Sequence, residues 1–63
     1  MPGRTPEQMD LDDLRAAHRR QAYIRQVGID EGNEQRQADA EYRLADLEAE
    51  FARRGESPPT YRQ

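Results

Sequence analysis

Apolar positions in this chain recur with helical period in two stretches, separated by a polar segment that holds two glycines. In the first, Leu14, Ala17, Gln21 and Ile24 form a modest stripe with Leu11 at its edge. In the second, "EGNEQRQADAEYRLADLEAEFARR", Ala40, Leu44, Leu47 and Phe51 make a stronger seam at a/d-like spacing. Between them "QVGIDEGNEQ" places Gly28 and Gly32 four residues apart. A glycine inside a helix is about 1 kcal/mol less favourable than alanine, so the pair marks a place where the backbone turns. The expectation is that Gly28 closes the first helix in the left-handed C-cap position, and that the second helix starts at about Glu31.

The other ends carry their own signals. Thr5, Pro6 and Gln8 fit an N-cap, a first-position proline and a capping-box partner, which predicts a short helical turn. Asp10 is a second N-cap, with Asp12 and Asp13 in the first turn, where the helix dipole favours carboxylates. Arg53 and Arg54 followed by Gly55 are a helix stop. The predicted organisation is a 1–9 arm with a short helical turn, a 10–54 helical region and a flexible 55–63 tail. The helices run from Asp10 to about Val27 and from Glu31 to about Arg54.

Charge decides how the two helices lie. Residues 14–25 carry Arg15, Arg19, Arg20 and Arg25 with no acid, whereas residues 39–50 carry Asp39, Glu41, Asp46, Glu48 and Glu50 against Arg43 alone. Folding back at the glycines sets a basic helix beside an acidic one. The expected fold is therefore an all-α antiparallel two-helix hairpin, with Leu14, Ile24, Leu44, Leu47 and Phe51 as its core. The competing architecture is one long bent helix that completes its core in a dimer.

Composition limits what this core can hold alone. The chain has 63 residues, 33% hydrophobic against 37% charged, with a mean hydropathy of −1.32, close to the border with disorder. It has no cysteine, hence no disulfide and no thiolate metal site. Self-association, first of all as a four-helix homodimer, is the expected way to enlarge so small a core. The opening "MPGRTPEQMDLDD" has no apolar core of the signal-peptide kind, and no run reaches the length of a membrane span, so the protein is expected to be soluble and cytoplasmic.

Candidate chemistry is sparse. His18, the only histidine, falls at the margin of the first stripe and reads as a half-buried structural residue; a base needs a nucleophile or a substrate proton, and the only serine, Ser57, is in the tail. One histidine and scattered carboxylates make no closed ligand set, so neither a catalytic, a cofactor nor a metal site is expected. Partner contacts are expected on the outer face of the second helix, at Ala38, Tyr42, Ala45 and Ala49 (with Ala52 on the same side), and at Tyr23 beside Ala16 and Val27 on the first. Arg15, Arg19 and Arg20 are candidate anion contacts, a weaker reading for a chain of net charge −3. In the tail, Pro58-Pro59-Thr60-Tyr61 matches the PPxY pattern that WW domains take up as a polyproline helix.

The runs "LDDLRAAHRR" and "YRLADLEAEFARR" resemble segments of a group of short actinobacterial helical-hairpin proteins, a domain without an assigned function. Leu11, Asp12, Asp13, Leu14, His18 and Arg19 match the first segment; Leu47, Glu48, Glu50, Phe51, Arg53 and Arg54 match the second. The group often has another histidine one turn after the first, where this chain has Ala22. The resemblance implies a helical hairpin and carries no activity. An all-arginine basic set with no lysine agrees with a GC-rich bacterial or phage source. The expected function is non-enzymatic: a small helical module acting through protein–protein contacts. Two alternatives stand beside it, an adaptor that binds nucleic acid or a transcription regulator through the first-helix arginines, and a phage structural or accessory protein that orders on a larger assembly.

Overall fold

The computed structural model describes residues 5–61; the outermost parts of the expected arm and tail lie outside the described residues. A short 3₁₀ turn, Pro6–Gln8, precedes two helices, α1 over Leu11–Glu31 and α2 over Glu34–Arg53. They pack against each other as an antiparallel hairpin: His18 meets Glu48, Arg25 meets Glu41 and Gly28 meets Gln37, so numbers rise on one helix as they fall on the other. Among the described residues there is no strand.

The caps follow from the side chains the sequence supplies. The Thr5 N–H donates to Gln8 Oε1 (3.3 Å), one arm of the expected capping box, and the Asp13 N–H donates to the Asp10 carboxylate (2.8 Å). At the far end Gly55 takes φ +74°, while the Gly55 and Glu56 N–H groups donate to the carbonyls of Ala52 and Phe51. That is a Schellman closure at the expected glycine.

The turn lies one helical turn later than expected. Gly28 does not end α1; Gly32 does, at φ +69°, with its N–H and that of Asn33 donating to the carbonyls of Ile29 and Gly28. Asn33 then caps α2, its side chain accepting from the Arg36 N–H (3.1 Å), so only Gly32 and Asn33 separate the helices. Gly28 is buried where the start of α2 passes close against the α1 backbone. A Cβ placed there would sit 2.9 Å from the Gln37 backbone nitrogen and 3.3 Å from the Asn33 carbonyl oxygen. One glycine thus supplies a left-handed turn and the other a close approach.

Leu14, Leu47 and Phe51 form the core cluster, and Met9, Leu11 and Ala17 pack against it. Ala40 is buried nearer the turn. Ile24 and Leu44, expected in the core, are only half-buried. The reason is thickness. The molecule measures 34 × 31 × 15 Å, a single layer of helices in which positions flanking the contact line stay open to water.

Candidate functional site

The outer face of α2 is open along its length. Ala38, Tyr42, Ala45 and Ala49 are all exposed, and Tyr42 is 74% accessible. These positions lie opposite Ala40, Leu47 and Phe51 because residues three, four and seven apart share a helix face. Asp39 and Asp46 lie one turn to either side of Tyr42. Asp39 accepts from the Gln35 amide (3.3 Å), and neither aspartate has an ion pair among the described residues.

The back of α1 is its counterpart in charge. Arg15, Ala16, Arg19, Arg20 and Tyr23 line an open depression of about 580 Å³, and Pro59 and Tyr61 of the tail wall its rim. Arg15 reaches Asp12 only at 3.8 Å, and Arg19 and Arg20 have no ion pair among the described residues. Of the four first-helix arginines that the charge argument sets against α2, only Arg25 crosses, donating to Glu41 at 3.0 Å. That bond, aided by Gln37, holds the Glu41 carboxyl below the ordinary carboxylate range. The basic and acidic helices do lie side by side, but most of their charge points outward.

His18 is more deeply placed than its marginal position implies, with 4% of its surface exposed. Its Nε2 lies 3.0 Å from a Glu48 carboxylate oxygen and its Nδ1 2.9 Å from the Tyr61 hydroxyl, while its ring meets Phe51 edge-on at 6.0 Å. A carboxylate only accepts, so Nε2–H donates to Glu48; in the neutral ring Nδ1 then accepts from the phenol O–H. An acid, an imidazole and a hydroxyl in line share the layout of an activated nucleophile. The electrostatics oppose that use, because burial pushes the Tyr61 hydroxyl up, against a smaller downward pull from Arg19. What the two bonds do is hold the tail segment at Tyr61 against the joint between the helices. No local signal marks it in the chain, since the partners are 30 and 43 residues from His18.

Among the described residues Glu50 is the other buried polar side chain, with 5% of its surface exposed. It belongs to the acidic set of residues 39–50 expected to face α1. It turns instead to its own helix end, where the Arg53 and Arg54 guanidiniums donate to its carboxylate and pull it down to about 2. Arg54 also donates to the main-chain carbonyls of Pro6 (3.2 Å), Glu7 (3.4 Å) and Met9, clasping the N-terminal turn to the end of α2. Spacings of three and four residues between acid and arginine make the Glu50 pairs readable in sequence. The grip on the distant carbonyls is not.

Among the described residues no three potential metal ligands stand together, and no helix is long and apolar enough to cross a membrane. No protein-family model, no curated protein and no solved structure matches this chain.

Proposed function

We propose that this chain is a non-enzymatic helical interaction module of a bacterial cytoplasm, and that the outer face of α2 is where it meets another protein. The observation that carries the reading is Tyr42, 74% accessible in a row otherwise made of Ala38, Ala45 and Ala49. A tyrosine brings large apolar area and a polar tip, the combination that interfaces favour. Alanine on either side lets a second helix approach closely without side chains to reorder. A second copy of the chain is the partner of first choice, since a single 15 Å layer with three large side chains in its core cluster gains most from a further layer.

Ala45→Glu tests the face. The residue is exposed, so the variant keeps its helicity by far-UV circular dichroism. The expected result is a wild-type molar mass by light scattering that rises across a tenfold concentration range, and a variant that stays at the monomer mass. Equal association in the two proteins, or a wild type that is monomeric throughout, overturns the reading.

A further inference from the structure

We infer that the Tyr42 face of one copy docks on the basic back of α1 of another, so that the protein associates head to tail. This rests on the interaction-module reading above and names its partner surface. The hairpin leaves charge without an ion pair on both helices. On α1, Arg19 and Arg20 have no ion pair among the described residues and Arg15 has only a long one; on α2, Asp39 and Asp46 have none. A two-fold pairing of α2 faces would set Asp39 and Asp46 against their own copies, Glu41 and Glu48 being turned to Arg25 and His18 of α1. A two-fold pairing of α1 backs would set arginine against arginine. A two-fold pairing of α2 faces has Arg43 alone to offset its aspartates, whereas the crossed arrangement sets Arg15, Arg19 and Arg20 against them, and like-charge juxtaposition is what discriminates against wrong pairings.

Shape agrees with charge. Tyr42 is flanked at three and four residues by Asp39 and Asp46, while the depression on α1 has Ala16 and Tyr23 among arginines. An aromatic ring set over Ala16 would lie against Tyr23, with Arg19 and Arg20 in reach of the two aspartates. The wall formed by Pro59 and Tyr61 makes the receiving surface concave, and the His18–Tyr61 bond holds that wall in place. Tyr42 on α2 and Ala16 and Tyr23 on α1 each lie opposite their own helix's contact line, on opposite edges of the hairpin, while Arg20 and Asp46 at the margins both border the groove lined by Met9, Ala17 and Leu47. A contact between two different patches does not close on itself as a two-fold dimer does, so assembly continues beyond two copies.

The test mixes two variants. Arg19→Glu/Arg20→Glu destroys the receiving surface and keeps the Tyr42 face; Ala45→Glu does the reverse, and all three residues are exposed. Each variant alone is expected to stay monomeric by light scattering with wild-type circular dichroism, and an equimolar mixture to give a discrete dimer capped at both ends. Wild-type association should weaken at least tenfold between about 0.05 and 0.5 M salt, as screening shortens to a few ångströms. If the arginine variant associates like the wild type, or the mixture stays monomeric while the wild type associates, the head-to-tail pairing is overturned and the module reading survives. If a labelled single-stranded oligonucleotide binds the wild type and not the arginine variant, and the mixture stays monomeric, the arginines serve nucleic acid and the inference falls. A wild type that never associates removes the module reading itself.

Discussion

At the open end of the hairpin, Phe51 and Leu14 are wholly buried, Leu47 nearly so, and around them His18 and Arg54 tie together residues more than 40 positions apart. At the turn end there is little to bury. Gly32 and Asn33 reverse the chain with two backbone bonds and one cap, and Gly28 lets the helices touch through their backbones. One end is held by large side chains and a polar network, the other by local geometry and the absence of a side chain. The difference teaches where a small helical hairpin places its scarce apolar volume: at the mouth, where no covalent link keeps the helices together.

Substitutions at the two ends sharpen that contrast. Phe51→Ala should have the largest effect, because removing a buried phenylalanine costs about 3–5 kcal/mol. A native chain of this length holds only about 3–9 kcal/mol in all. Circular dichroism at 25 °C should show a largely unfolded protein; a cooperative melt near the wild type would mean that the mouth is not the main anchor. At the turn end, Gly28→Ala gains about 1 kcal/mol of helix propensity. The added Cβ meets the Gln37 backbone nitrogen at 2.9 Å, and backbone cannot swing aside as a side-chain tip can. Overpacking of about 1–3 kcal/mol should win, so thermal melts should show a net loss; a gain would mean that the close approach is not needed.

The smallest effect at neutral pH sits on the Glu50 clasp, and acid exposes it. The carboxyl falls from its ordinary 4.5 to about 2 in the folded chain, so the folded state holds the ionised form more tightly than the unfolded one. The stability this contributes is fully present above about 4.5 and is lost as pH falls towards 2. Denaturant midpoints measured from pH 6 down to pH 2 should drop through this window in the wild type and drop less in Glu50→Gln. Parallel curves would show that the arginines do not distinguish the two states.

Much of this was legible in the chain. Asp10, Gly55 and the Leu47–Phe51 seam are local signals, each complete within four or five residues, and each stands where the pattern put it. The turn stands one helical turn beyond the expected glycine, because both glycines break a helix equally well in isolation. The cue that separates them is the next residue: Asn33 can cap a helix, whereas Ile29 cannot. The candidate contact residues Ala38, Tyr42, Ala45, Ala49 and Tyr23 are all exposed, as a face opposite the core must be. That Tyr23 shares one depression with Arg15, Arg19 and Arg20 followed from the helix, but that Pro59 and Tyr61 complete it did not.

Sequence alone determined two amphipathic helices of opposite charge and the faces each turns inward, because period and capping act over single helical turns. Tertiary structure decided that the α2 backbone closes on Gly28, that His18 is buried between Glu48 and Tyr61, that Arg54 clasps the N-terminal turn, and where the tail segment at Tyr61 lies. Those choices belong to contacts between residues 30 to 48 positions apart, and to backbones that approach only once the hairpin has closed.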